Sequence, residues 1–305
     1  MQIVGLFLGS AGLLYLLPLM LRARPALRPT TLLTAWNWGM AALGLWCAAW
    51  IGMLALPESA AGWVDLCWYL AALLLLCATV AVLGAKRPGA RVWGWFVLVP
   101  LVCVLGWPAL FTFREGVPPK PLALMDPAVL AFGVVCVMGV GNYFGTRFAP
   151  AAGCLGLALV AAVAPFGGAT IAWWPLGPES SRIVATCSVA AAGGLAGMLA
   201  TAVPAEASAF DRLWFDFRDY FGIVWGRRIQ DRFNDAAARS NWPARIGLDG
   251  FHWEAGTSAS ADQREAIEAA LRWLLRRFVD PDWIDRRLQT ASQEPAQSEA
   301  VRTQS

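Results

Sequence analysis

Seven long apolar runs occupy the first two-thirds of this 305-residue chain and constrain its fold more than any other feature. A helix needs about 20 mostly apolar residues to cross a bilayer, because the hydrocarbon core is about 30 Å thick and a helix rises about 1.5 Å per residue. The runs lack the alternation of transmembrane barrel strands, which leaves helices as the spanning structure. The predicted spans are residues 3–21, 32–56, 64–84, 92–113, 128–146, 150–172 and 182–203.

The composition changes abruptly near residue 205. Hydrophobic residues make up 58% of the chain and charged residues 15%, whereas a soluble domain has roughly 45–50% and about 25%. Only 5 of the 21 acidic residues precede residue 205. The sequence therefore predicts an all-α integral membrane protein. Its parts are a transmembrane helical bundle over residues 1–204, a small cytosolic helical domain over 205–290 and a disordered C-terminal end over 291–305.

Positive charges alternate between the loops and predict an orientation. Cytoplasmic loops of membrane proteins carry an excess of Lys and Arg. Here one set of loops holds seven cations and the other holds three. We expect an N-terminus outside and a cytoplasmic tail in a bacterial inner membrane. The seven are Arg22, Arg24, Arg28, Lys86, Arg87, Arg91 and Arg147, and the three are Arg114, Lys120 and Arg182.

The residue types within the spans exclude several familiar chemistries. No Lys lies in a predicted span, which excludes a retinal-type Schiff base, and the only His is His252 in the tail. Haem ligation, an intramembrane zinc site and a His proton relay therefore lack their ligands. His252 and Glu254 are two ligands without a third, and the seven cysteines contain no CxxC pair. The sequence predicts no catalytic residue, no metal and no cofactor.

A few polar or helix-breaking positions are candidates for a membrane cavity or a kink. A polar side chain in a bundle can line a pathway, but it can equally hydrogen-bond a neighbouring helix. A proline followed by two glycines can open a discontinuous helix at a substrate site, or can simply end the helix. A Trp near mid-membrane can pack in the core or line an aromatic pocket. The candidates are Asn37, Trp46, Asn142, Pro165, Gly167 and Gly168.

The tail begins with a predicted amphipathic helix over residues 208–239. Its apolar residues recur at the spacing of three and four that places them on one face. That face can lie on the inner membrane surface, bind a protein partner or pack within its own domain. The face comprises Phe210, Trp214, Phe217, Phe221, Val224 and Phe233.

The rest of the tail is predicted to continue as an irregular segment punctuated by Gly247 and Gly250, followed by two helices. Ser260 and Gln263 form a capping box at the start of one helix, and Asp280-Pro281 starts the other. The tail has a net charge of −2, so nucleic acid is not an expected partner.

Two functional hypotheses follow from these features. The first is a non-enzymatic membrane scaffold that binds a protein partner through its cytosolic helical tail. The second is a transporter or channel for a neutral or lipophilic small molecule, with the candidate cavity residues as its lining. If the cavity candidates converge in space, transport is favoured over scaffolding.

Overall fold

The structure is a computed structural model that describes residues 2–114, 119–202, 207–254 and 260–288. The predicted domain boundary near residue 205 and the predicted disordered end lie outside these ranges. The described part of the chain is mainly helical, and the bundle contains seven helical segments. They are α1 (Gln2–Leu27), α2 (Leu33–Ala55), α3 (Ala61–Leu83), α4 (residues 90–111), α5 (Asp126–Gly141), α6 (Ala149–Val163) and α7 (Pro178–Leu199).

Six of the helical segments are long and apolar enough to cross a membrane. The remaining predicted span, residues 128–146, forms only the 16-residue helix α5. It ends early because residues 142–146 leave the helix in a series of turns, with Gly145 at φ +92°. The helix nevertheless runs along the whole of α6. Thr170, beyond the C-terminus of α6, donates a hydrogen bond to Asp126 at the start of α5, while Asn142 at its other end contacts the tail.

The bundle has two distinct ends. At the end that we call the tail end, α1, α3 and α5 finish, α2 and α6 begin, and the tail packs against them. At the far end, the start of α3 meets residues 119–120, and the start of α7 lies beside the start of α3. The helix termini therefore alternate between the two ends along the chain.

The most central helix is α3, which packs against α2, α4, α5 and α6 and includes the fully buried side chains of Trp68, Tyr69 and Leu73. In contrast, large apolar side chains on the outer helices point away from the bundle, including Phe7 and Trp95, which are more than 70% exposed. Soluble proteins rarely expose such extensive apolar surface. The six long apolar helices and this surface together indicate a helical membrane protein.

The predicted span at 150–172 is too long. Its helix α6 ends at Val163 and is followed by two short 3-10 turns, Ala164–Phe166 and Gly168–Ile171. Pro165 cannot continue the backbone hydrogen-bond ladder, and Gly168 adopts a left-handed φ of +50°. The proline and glycines therefore end the helix.

The described part of the tail contains three helices and a β-hairpin. The helices are α8 (Ala209–Ser240), α9 (Ala261–Leu275) and α10 (residues 281–288). The hairpin pairs β1 (Ala244–Gly247) with β2 (Gly250–Trp253) around a two-residue turn. The irregular segment predicted here is wrong, because residues 244–247 and 250–253 pair as antiparallel strands, with Leu248 and Asp249 as the turn between the paired Gly247 and Gly250. The described fold is thus helical with one small sheet.

The hairpin is fixed to the longest tail helix by side-chain hydrogen bonds. Asn234 bonds both the N–H and the C=O of Ile246, at 2.8 and 2.9 Å. The indole of Trp214 donates to the Gly247 carbonyl at 3.0 Å, and the Asp211 carboxylate accepts from the Phe251 N–H at 2.7 Å. These bonds satisfy the strand groups that a two-stranded sheet leaves unpaired.

Candidate functional site

The tail helix α8 is broken where it meets the bundle. Gly222, in the middle of α8, has φ +79° and ψ 175°, so the helical hydrogen-bond ladder is interrupted there. Asn142, at the C-terminus of α5, replaces the missing bonds. Its side-chain amide donates to the Phe221 carbonyl at 3.2 Å, its side-chain oxygen accepts from the Val224 N–H at 3.1 Å, and its backbone carbonyl accepts from the Ile223 N–H at 2.8 Å.

Only glycine fits at this joint. The backbone conformation of Gly222 is one that L-residues rarely adopt. In addition, a Cβ at this position would overlap the Asn142 side chain and backbone. Asn142 itself is 3% exposed. A buried helix break costs free energy unless its polar groups are paired, so Asn142 and Gly222 depend on each other.

A buried ionic network lies next to this joint. Arg147, at the start of α6, contacts the Asp216 carboxylate at 2.7 Å and the Asp219 carboxylate at 3.4 Å. Arg287 of α10 binds the second oxygen of Asp216 at 2.6 Å, and Arg218 binds Asp219 at 2.7 Å. The side chains of Arg147 and Asp219 are 11% and 2% exposed. This network joins one bundle helix to two tail helices.

Burial and pairing act against each other within the network. Burial raises the pKa of Asp219, although Arg218 and Arg147 beside it pull the pKa down. Burial likewise lowers the pKa of Arg287, opposed by the Asp216 carboxylate. Both shifts show that the desolvation of a charge outweighs its ion pairs at these two positions.

Loops at the tail end of the bundle hold the tail through further hydrogen bonds. Residues 29–31, between α1 and α2, pair with residues 278–280 through two backbone hydrogen bonds, Thr31 N–H to Phe278 C=O at 2.9 Å and Asp280 N–H to Pro29 C=O at 2.8 Å. The loop after α3 donates from Arg87 N–H to Arg277 C=O at 2.8 Å. The Trp225 indole donates to the Val82 carbonyl at 3.1 Å. The α1–α2 loop, the α3–α4 loop and the last turn of α3 therefore each bond to the tail.

An open cleft of about 350 Å³ lies between the α3–α4 loop and the tail helices. Its floor consists of buried apolar side chains, and its rim consists mainly of cations. The floor is formed by Trp225, Ile229, Leu274 and Phe278. The rim is formed by Lys86, Arg228, Arg232, Arg277, Asp231 and Trp273.

The candidate cavity residues do not come together. Asn37 is exposed on the first turn of α2, and Asn142 is buried in the tail-end joint. Trp46 is buried between α2, α3 and α7, with its indole bonded to Thr186 at 3.0 Å and its ring 5.2 Å from that of Trp68. Pro165, Gly167 and Gly168 lie at the far end. They therefore do not line one shared cavity.

The candidate partner face is largely buried inside the tail domain. Phe217, Phe221 and Phe233 are 0% exposed, and Trp214 is 2% exposed. These rings pack against one another, the hairpin, α9 and the tail end of the bundle. Only Val224 is exposed, with Phe210 half-buried. The prediction that this face binds a membrane surface or a protein partner is wrong, because its aromatic side chains form the hydrophobic core of the tail domain.

The sequence did not indicate the pairing of Asp65 with Arg182 at the far end. The Arg182 guanidinium bonds the Asp65 carboxylate between α3 and α7, with side chains 15% and 13% exposed. The adjacent Trp68 is fully buried, and its indole N–H has no acceptor within the described residues. Opposite charges at the same predicted membrane level were the available signal for this pair.

The only histidine lies apart from these features. His252 is 57% exposed and contacts the Asp249 carboxylate at 2.8 Å across the hairpin turn. This hydrogen bond lowers the pKa of Asp249. Within the described ranges, no group of three or more His, Cys, Asp or Glu side chains is placed to hold a metal ion.

Comparison of the chain with known proteins gave no match: no family model, no curated protein and no solved structure matches it. Function must therefore be argued from the site itself.

Proposed function

We propose that this chain is a non-enzymatic scaffold of a bacterial inner membrane, which holds a folded domain in a fixed position at the cytoplasmic surface for a protein partner. The observation that carries the proposal is the Asn142–Gly222 joint, in which a bundle residue completes the backbone of a tail helix. A flexible tether would not need such a joint. Rigid presentation lowers the conformational entropy that a partner must overcome on binding.

The charge distribution supports a cytoplasmic tail. Helix ends and loops at the tail end of the bundle hold seven of its ten cations, the distribution expected for a cytoplasmic side under the positive-inside rule. At the far end, Arg182 is neutralised by Asp65. Reporter fusions after residue 288 and in the α2–α3 loop test this orientation. We expect a cytoplasmic reporter to be active only at the first site, and the reverse result would overturn the topology.

A partner would bind the exposed surface of the tail, because the aromatic stripe is buried. Exposed side chains cover the outer face of α9 and the hairpin, including Leu248 at the turn and Trp253 at the end of β2. The strands β1 and β2 bond to residues 211–234 of α8, and the hydrogen bonds of the described residues include none between these strands and the bundle. Docking therefore leaves this surface free.

In-cell crosslinking of the full chain, with identification of the crosslinked proteins, tests the scaffold role. Gly222→Ala should undock the tail, and Gly141→Ala is the matched control, since a Cβ at Gly141 meets open space. We expect the control to retain the wild-type partners and the Gly222 variant to lose them. An unchanged set of partners in a variant whose tail is demonstrably released would overturn the proposal.

Transport of a neutral or lipophilic molecule remains the alternative, but it lacks its predicted lining. Asn142 is committed to the joint at the tail end, Trp46 is packed between helices, and Pro165 ends α6 at the far end. Asn37 faces outward. Both asparagines thus lie at the tail end, Trp46 lies within the bundle and Pro165 lies at the far end, so these residues do not form a continuous lining for a pathway.

A further inference from the structure

The cleft at the tail end concentrates positive charge without neutralising it. Lys86, Arg228, Arg232 and Arg277 surround it, and Asp231 is the one acidic residue in its lining. Asp231 is paired with Arg227 outside the lining, at 3.1 Å. In the part of the chain that the structure describes, no carboxylate lies within ion-pair distance of the four cations. Four mutually repelling cations at one opening are a site for an anion.

Lys86 lies close enough to the three arginines for their positive charges to affect its pKa. Partial burial lowers the pKa of Lys86, and Arg277, Arg232 and Arg228 lower it further by repulsion. Aromatic rings hold two of the guanidinium groups in place. Arg228 lies over the Trp225 ring at 4.9 Å, and Arg277 lies near the Trp273 ring at 5.7 Å. Arg groups held in this way recognise phosphate oxygens well.

The position of the cleft indicates where its anion comes from. Lys86 follows the C-terminus of α3, a span candidate, by three residues, and the Trp225 indole is bonded to Val82 in the last turn of α3. The cleft therefore opens where a spanning helix leaves the hydrocarbon. Its floor is apolar, and Trp273 at its edge is 49% exposed. A cationic rim above an apolar floor at this level fits an amphiphile better than a free ion.

We infer that this cleft binds the phosphate headgroup of an anionic phospholipid from the leaflet at the tail end. Basic pockets at the membrane surface recognise such headgroups, and each nearby Lys or Arg contributes about 1 kcal/mol. Lys86 comes from the bundle and the three arginines come from the tail. The site is thus complete only when the tail is docked, so bound lipid favours the docked state. The inference depends on the membrane location and not on a protein partner.

The test uses the full chain, purified in a neutral detergent, and measures binding of three probes. They are short-chain phosphatidylglycerol, short-chain phosphatidylcholine and inorganic phosphate. We expect phosphatidylglycerol to bind, the zwitterionic lipid to bind at least about tenfold more weakly, and phosphate to compete poorly. Binding should weaken as salt rises, because screening shortens the reach of the cations. Equal binding of both lipids, or phosphate competing as well as the lipid does, would overturn the lipid assignment.

Variants locate the binding to the cleft. Arg228→Gln with Arg232→Gln should weaken phosphatidylglycerol binding about thirtyfold, the loss expected from two cations. The matched control is Arg239→Gln with Arg245→Gln, which removes the same charge from exposed positions outside the lining. All four side chains are exposed, so folding should be preserved. If both double variants bind alike, the attraction is diffuse and the site is not the cleft. Because no partner is present, failure here leaves the scaffold proposal standing.

Discussion

The two ends of the bundle use buried ion pairs differently. At the tail end, Arg147 belongs to a network of five charged side chains that crosses from the bundle to the tail. At the far end, Asp65 and Arg182 form one pair between two bundle helices. The same charge chemistry thus joins separate regions at one end and neighbouring helices at the other. The larger network of buried charges therefore lies where the tail is attached to the bundle, whereas a single pair lies between the bundle helices at the far end.

The largest effect is expected from Gly222→Ala. The joint would hold the alanine at a positive φ that residues with a side chain rarely adopt, and the added methyl group would overlap Asn142. We expect the free energy of opening of α8, measured by amide hydrogen exchange, to fall by about 3 kcal/mol or more. The Gly141→Ala control should change it by less than about 0.5 kcal/mol. Similar protection of α8 in both variants would contradict the joint.

Arg147→Gln should have the next largest effect. It removes the one bundle residue in the network and leaves two buried carboxylates with a single arginine each. Removing a partner from a buried pair costs about 3–5 kcal/mol when nothing replaces it. With Arg287 and Arg218 retained, we expect about 2 kcal/mol, seen as faster exchange in the first half of α8. Exchange in the α2–α3 region should not change.

Arg182→Gln tests the ion pair at the far end of the bundle. It leaves Asp65 without its cation at a level close to water, so we expect a loss of about 1 kcal/mol. The effect should appear as faster exchange at the starts of α3 and α7, with α8 unaffected. If α8 were loosened as much as by Arg147→Gln, the two ends would not be independent.

The smallest effect is expected from the titration of Asp219. Because its pKa is raised in the folded protein, its contribution to stability is complete below its unfolded pKa of about 4 and is lost as pH rises through the raised value. Asp219→Asn removes this titration. The opening free energy of α8 in the wild type, relative to the variant, should therefore decline as pH rises from about 4. A difference that grows with pH would show that pairing outweighs burial.

The parts that could be predicted from sequence depend on local patterns. Apolar runs identified the bundle helices, because hydrophobicity over about 20 residues is a property of the segment alone. Ser260 and Gln263 likewise marked the start of α9, where both capping hydrogen bonds are formed. These signals need no knowledge of the rest of the fold.

The tail-end site could not be predicted, because its parts are distant in sequence. Asn142 and Gly222 are 80 residues apart, and neither carries a signal for the other. The 3,4 spacing of Phe217 and Phe221 indicates a buried face but not what covers it. The arginines of the cleft come from α8 and from the turn after α9, and they meet Lys86 only after the tail has packed.

The contact between residues 29–31 and 278–280 sets an order on the assembly of the protein. The loop between α1 and α2 leaves the ribosome about 250 residues before the segment that pairs with it. At about 5–20 residues per second, that loop waits roughly ten to fifty seconds, while the remaining membrane helices are made. Its backbone groups must be hydrated throughout this interval. The pairing of residues 29–31 with residues 278–280 can therefore form only after the seven helical segments of the bundle have been synthesised.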